Sequence, residues 1–302
     1  MSFSTDIDSA HEILYRQLRV QRQCDVLIDR MASADLDETL AGWSHTGESI
    51  ALCDPLFDAM PDSSPLLLRL PFADLQLIEY LLERAQTEAA TGSPARSVCA
   101  FIFTAAPLTR LAKHLSAHLN AQMEGFGAIY FRYFDPRVWP HVQRIATPGQ
   151  RHCLFGDIDM WLSMDWSGQL QTVTPPVLPN VDQPDSALAQ PSYSAAQWQQ
   201  IERIETVNLS LQRLKQTGVE LPRLAHADEI VATAARLLEL QADQVTYSVH
   251  ALMHGTTFTG HKHLPELLKL AREHDIPLAD VFADRLQLVE SAASLTPIPA
   301  LT

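Results

Sequence analysis

The sequence predicts an α/β N-terminal lobe, a mixed sheet with helices, followed by an all-α C-terminal lobe, and three observations carry that expectation. Short apolar runs alternate with segments of helical period through residues 1–173. A proline-dense stretch at 174–193, "TPPVLPNVDQPDSALAQPSY", interrupts the alternation and reads as a linker. Residues 194–302 then carry helix start and stop signals throughout.

In chain order, Ser9 and Glu12 form a capping box beside Ala10, Ile13, Leu14 and Leu18, so the chain opens with a short amphipathic helix. "CDVLIDRM" reads as a strand. "SPLLLRLP", an apolar run bounded by prolines, suits a buried strand, and "FADLQLIEYLLERAQTEA" has the helical period with Leu75, Ile78, Leu81 and Leu82 inward. "SVCAFIFTA" is a third strand. "LTRLAKHLSAHLNAQM" reads as a helix carrying Leu108, Leu111, Leu115 and Leu119. "GAIYFRYF" follows as a fourth strand, and large rings on both of its faces mark it as central. Beyond the linker, Ser194 and Gln197 form a second capping box, and Trp198, Ile201, Ile204, Leu211 and Leu214 trace one face of a long helix ending near Gly218. Asp228 caps a helix carrying Ile230, Ala234 and Leu237. "DQVTYSVHALMHG" ends in a C′ glycine, Pro265 opens "PELLKLAREH", and Pro277 precedes a last segment with Val281 and Phe282.

Composition narrows the function. The 302 residues are 46% apolar and 19% charged, so the chain can bury a sizeable core. Thirty-six acids against 22 bases give a net charge of −14, a field that opposes any phosphate-tracking surface, so nucleic acid is excluded as a partner. The four cysteines, Cys24, Cys53, Cys99 and Cys153, form no CxxC pair and read as reduced, buried thiols. "MSFSTDIDSAHEI" has acids where a signal peptide needs bases, and the apolar run around "VCAFIFTAAPL" is too short to span a bilayer. A cytoplasmic location without membrane contact is the expectation.

Two constellations allow metal chemistry to be drawn. His250 and His254 lie at i, i+4 on a predicted helix with His261 and His263 shortly after, and Asp157 and Asp159 form a DxD. Among twelve histidines such spacing arises by chance, as His114 and His118 show, and "HALMH" lacks the glutamate of a metalloprotease. A metal-dependent enzyme built on either group is therefore the alternative reading. With 11 glycines, no GxxxxGK[ST] and no GxSxG, nucleotide hydrolysis and serine-hydrolase chemistry are disfavoured.

The most distinctive stretch is "YFRYFDPRVWPHV" at 130–142. Asp135 is placed as an N-cap, Pro136 at the first helical position, and Arg137 to pair with a nearby acid, which accounts for the turn without catalysis. Here the sequence resembles a family, the bacterial type VI secretion effector chaperones or adaptors (Tap, Tec or VasW-like). The resemblance runs over residues 12–166: "V-L-I-D" at Val26 to Asp29, "P-L-L-L-R-L", "F-R-Y-F-D-P-R-V" at Phe131 to Val138, and "LFGDIDMWLSMD" at Leu154 to Asp165. Its signature positions are Phe131, Arg132, Tyr133, Asp135, Pro136, Arg137, Gly156 and Trp161. Asp157 stands where that pattern has proline, and Pro140 interrupts a helix that usually runs on. The resemblance implies a non-enzymatic cytoplasmic protein, with no catalytic residue, metal or cofactor, that binds a cognate toxin effector and helps load it onto the VgrG spike. Tyr247, Phe258 and Phe282 on the second lobe are the candidate effector contacts if their rings are exposed, the alternative being that all three are core.

Overall fold

The computed structural model describes residues 3–32, 35–43, 47–93, 96–123, 127–166, 168–177 and 191–286. Two compact units divide the chain, residues 1–198 and residues 199–302. The expected linker falls largely on 178–190, outside the described residues.

The first unit contains α1 (Phe3–Gln21), β1 (Gln23–Ile28), α2 (Leu36–Gly42), β2 (Glu48–Ala51), β3 (Leu66–Pro71), α3 (Leu75–Ala90), β4 (Val98–Phe103) and α4 (Leu108–Ala117). There follow β5 (Asn120–Met123), β6 (Gly127–Tyr130), α5 (Trp139–Ile145), α6 (Pro148–Phe155), β7 (Met160–Met164), β8 (Leu170–Val173) and α7 (Ala195–Glu202), whose last turn crosses into the second unit. Six strands form one sheet in the order β2-β3-β1-β4-β7-β8, and every pairing among them is antiparallel. The α/β character is as the sequence predicts. β1 and β4 read as near-continuous apolar runs because both of their faces are covered. On one face Val26, Ile28, Phe101, Phe103, Leu162 and Met164 meet the inward stripes of α1 and α3. Alternation sends Leu27, Ile102 and Trp161 to the other face.

Burying each of Leu77, Ile78, Leu81 and Leu82 of α3 contributes about 2 kcal/mol. The exposed Glu12–Arg16 pair on α1 contributes a few tenths at about 0.3 kcal/mol. The apolar stripes, not surface charges, therefore hold the helices to the sheet.

Several sequence expectations are corrected. α1 begins at Phe3, so Ser9 lies inside it and not at its start. The helix expected over 108–123 ends at Ala117, and 120–123 turn back as β5. There the Asn120 side chain donates to the Asp54 carboxylate. The predicted central strand at 127–134 is β6, only four residues long, paired with β5 in a separate two-stranded sheet. Its ladder closes where Phe131 N donates to Leu119 O (2.6 Å), and tight turns follow at once through Tyr133 N to Phe131 O (2.8 Å) and Asp135 N to Arg132 O (3.1 Å). Of the cysteines, Cys24 and Cys99 are buried, Cys153 is half-buried and Cys53 is exposed.

The second unit is all helical in its described residues: α8 (Ile204–Gln216), α9 (Leu224–Leu237), α10 (Gln241–His254), α11 (Thr256–Thr259), α12 (Leu264–His274) and α13 (Leu278–Leu286). The long helix expected from Ser194 to Gly218 is interrupted at Arg203, whose Nε donates to Asp228 Oδ1 at 3.0 Å. Asp228 accordingly sits inside α9 as that ion-pair partner and is not its cap. The capping box at Ser194 and Gln197 is present in both directions, at 2.9 and 3.3 Å. Gly255 ends α10 at φ +54, and Pro265 lies in the first turn of α12. Among the described residues no helix is long and apolar enough to cross a membrane.

Candidate functional site

The signature residues converge on one structure: an alternating chain of charges beside an aromatic cluster. Asp29 directly follows β1; its amide donates to Ser97 O (2.8 Å) and its Oδ1 accepts from Met31 N (3.0 Å). A buried carboxylate at a strand end needs a cation. Arg132 supplies it, donating through Nη2 to Asp29 Oδ2 and, at 3.3 Å, to Asp135 Oδ2. Asp135 is then gripped by Arg137, through Nε to Oδ1 (3.0 Å) and Nη2 to Oδ2 (2.6 Å), while Arg137 N also donates to Oδ1 at 2.9 Å. The chain thus runs Asp29, Arg132, Asp135, Arg137.

The two carboxylates respond differently. Burial raises the pKa of Asp29 and outweighs the opposing charge of Arg132. Burial acts in the same direction on Asp135, but the hydrogen bonds from Arg137 and the charges of Arg137 and Arg132 prevail and hold its carboxyl below the usual range. Next to them lies Arg96, only 4% exposed, with Nε and Nη1 meeting no hydrogen-bond partner among the described residues. Burial, and then the charge of Arg137, lower its pKa.

Asp135 is not the N-cap of α5, whose cap position is Val138, and Pro136 is not its first helical residue; Asp135 instead closes the turn before the helix. Its carbonyl accepts from Val138 N and Trp139 N, both at 2.8 Å, and α5 proper begins at Trp139. Pro140 therefore lies in the first helical turn, where its missing N–H costs nothing.

Aromatic rings fill the space behind the turn. Tyr133 is fully buried, edge-on to Phe134 and to His118, and its hydroxyl donates to Leu115 O at 3.3 Å. Trp161 of β7 stacks on Trp139 of α5 with centroids 4.5 Å apart, which ties the helix to the sheet. Phe131 meets Tyr193 and Trp198, edge-on at 5.9 and 6.2 Å. Residues 191–198 are thus strapped to the first unit, and Gln150 and Gln197 reinforce the strap with reciprocal bonds of 3.2 and 2.7 Å. Gly156 has its own reason. It adopts φ +52, ψ −116, and a Cβ there would lie 2.5 Å from Cε1 of His114, whose ring donates to Leu154 O at 2.9 Å.

Residues 26–153 match the family described as Domain of unknown function (DUF4123). The DUF4123 span holds Asp29, Arg96, Arg132, Asp135 and Arg137 together, whereas Gly156, Trp161 and the strap lie beyond it. The chain matches no curated protein and no solved structure.

The other candidates are placed differently. Tyr247, Phe258 and Phe282 are 3%, 2% and 2% exposed and form one aromatic knot with His250 in the core of the second unit, so they are corrected from surface anchors to core residues. Their rings sit where the helices converge because burial gains more there than exposure. His250 is stacked on Phe258, and burial, with lesser effects of His254 and Arg213, lowers its pKa to about 4. His261 and His263 have centroids 5.8 Å apart, and the His263 ring bonds Glu266. Asp157 pairs with Arg110 at 2.5 Å and lines, with Asp159 and His152, an open pocket. Among the described residues no three His, Cys, Asp or Glu side chains are arranged to hold a metal ion.

Sequence reasoning passed over Asp29, Arg96 and Trp139 as partners of the signature. Asp29 left a trace: an acid closing a buried strand calls for a cation, and Arg132, set among aromatic residues, was the unexplained one.

Proposed function

We propose that the protein is a type VI secretion effector chaperone, a non-enzymatic cytoplasmic adaptor that binds a cognate toxin and helps load it onto the VgrG spike. One observation carries the reading. The DUF4123 match at 26–153 covers the "V-L-I-D", "P-L-L-L-R-L" and "F-R-Y-F-D-P-R-V" segments on which the resemblance to that group of chaperones rests. The site's character supports the same reading. Asp29, Arg132, Asp135 and Arg137 neutralise one another, and the aromatic rings are buried, which suits a scaffold that presents a surface. Co-expression with the products of the genes adjoining the gene for this chain, followed by co-purification, tests it. Retention of a toxin among those products is expected; a chain that retains none of them overturns the reading.

A further inference from the structure

Within the first unit, the N-termini of α6 and α7 are built alike and face each other. At α6, Thr147 N donates to Gln150 Oε1 (2.8 Å) and Gln150 N to Thr147 Oγ1 (3.2 Å). At α7, Ser194 N donates to Gln197 Oε1 (2.9 Å) and Gln197 N to Ser194 Oγ (3.3 Å). The two glutamine amides bond each other in both directions, and each also donates to a carbonyl two residues before the facing cap: Gln150 Nε2 to Ser192 O, and Gln197 Nε2 to Ile145 O at 2.9 Å. Both halves thus make the same bonds with roles exchanged, as across a two-fold axis. Each amide uses both of its N–H groups and both lone pairs of its oxygen in this contact. A glutamate in either place would still close its own capping box, but it has no N–H to give and would set like oxygens face to face. The pairing therefore reads glutamine.

Beside the amides lies an aromatic contact. Tyr193 precedes the Ser194 cap and Trp198 is the fourth residue of α7, and their rings meet edge-on at 5.5 Å as a hydrophobic staple. Both rings then pack on Phe131. Capping box and staple are local to residues 193–198, so the segment is shaped in advance and carries its own pattern: aromatic, Ser or Thr, two residues, Gln, aromatic. Its fit is incomplete. Tyr193 and Trp198 are 7% and 5% exposed, yet the Tyr193 hydroxyl and Trp198 Nε1 meet no hydrogen-bond partner among the described residues. Each buried orphan donor offsets part of what burying its ring contributes. Thr147, Ser192 and Ser194 are exposed and both glutamines half-buried, so water can serve the amide bonds when they part. A specific, self-contained and imperfectly satisfied contact is one that a better-matched segment displaces.

We propose that Phe131, Ile145 and the Thr147–Gln150 capping box form a recognition socket for helix starts of this pattern, closed in cis by residues 193–198 and opened by a partner protein that presents the pattern without the orphan hydroxyl, with Phe in the place of Tyr193. The inference goes beyond the chaperone reading and does not require the partner to be a toxin. The probe is a labelled peptide of residues 191–202, titrated by fluorescence anisotropy against the full chain and against an opened full chain, Ser194→Ala/Gln197→Glu. A cooperative urea transition establishes that the opened chain is folded; where that variant does not fold, Gln197→Glu alone takes its place. The opened chain is expected to bind the peptide about tenfold tighter or more than the parent, whose own strap competes for the socket. Adding Gln150→Ala to the opened chain is expected to remove that gain. A Gln197→Glu peptide is expected to bind the opened chain about tenfold more weakly, and a Tyr193→Phe peptide at least as tightly as the unaltered one. A folded opened chain that binds the peptide no better than the parent overturns the inference, and so does equal binding of the unaltered and Gln197→Glu peptides. A clear loss with the Tyr193→Phe peptide overturns it too, because displacement rests on the orphan hydroxyl. An opened chain that forms a homodimer which excess peptide does not dissociate also overturns it, since the occupant is then a second copy.

Discussion

At Asp135 one side chain closes a turn and balances two guanidinium groups, and these duties differ in energy. Loss of a cap alone costs about 1 kcal/mol, whereas removing one member of a buried ion pair costs about 3 kcal/mol or more because its partners stay behind unpaired. Asp135→Ala strands Arg137 and half of the Arg132 interaction, so the urea midpoint of the first unit is expected to fall by the larger amount. A drop of cap size only would show that the ion pairs add nothing. Arg96 is the opposite case. Its buried guanidinium lacks partners at Nε and Nη1, and its lowered pKa shows that the fold disfavours the charge. Arg96→Met keeps the aliphatic stem and removes the charge, so the midpoint is expected to hold or rise; a clear decrease would mean that the charge is needed where it stands. Gly156→Ala forces a side chain into a backbone region open chiefly to glycine and into the His114 ring. A loss of about 1 to 3 kcal/mol is expected from the backbone alone. In a His114→Ala background the loss shrinks but does not vanish, and equal losses in both backgrounds would exclude the ring contact as a cause.

Among the elements, β1, β3, β4 and α3 were legible because each has a local cause: apolar runs for strands covered on both faces, and a 3.6-residue stripe for the helix. "YFRYF" was not, because alternating rings announce burial without saying that a ladder delivers it. Here the rings are buried from a turn held by Asp29, which lies 103 residues before Arg132, a partner no local pattern can name. The break at Arg203 was hidden for the same reason, since its partner Asp228 belongs to the next helix and the stripe continues on both sides. Tyr193 and Trp198 also escaped notice as parts of the first unit; a proline-dense stretch before them suggested a boundary, and only their rings against Phe131 place them. This last contact is testable. A fragment ending at residue 202 keeps α7 and the Gln150–Gln197 bonds, while one ending at residue 173 uncovers Phe131. Removing a buried Trp side chain typically costs about 3 to 5 kcal/mol, so the shorter fragment is expected to unfold at distinctly lower urea. Equal midpoints would show that the strap is not part of the folded unit.

Across the whole molecule, burial holds a histidine neutral in each unit, His118 in the first and His250 in the second. In the first unit, burial and then the charge of His114 lower the pKa of His118 to about 4; in the second, burial does the same chiefly to His250, also to about 4. The unfolded chain binds these protons near the ordinary value of about 6.5, so below that pH it gains protons that the native units refuse. Stability is full above pH 6.5 and falls as the pH drops towards 4, by up to about 3 kcal/mol for each group. Net charge alone predicts the reverse, since acidification moves a chain of −14 towards neutrality and relieves its self-repulsion. The two units can be read separately. All five tryptophans, Trp43, Trp139, Trp161, Trp166 and Trp198, belong to residues 1–198, so their fluorescence follows the first unit, while the helical circular-dichroism signal comes about equally from both units. Urea midpoints measured between pH 7 and 4 are expected to fall in both signals. His118→Gln should flatten the fluorescence profile and the first unit's share of the helical one, whereas His250→Phe should leave the fluorescence profile as it is and flatten only the helical one, because Phe can remain among Phe258 and Phe282 without a ring nitrogen to protonate. Profiles that keep their slope in both variants would assign the acid response to other groups.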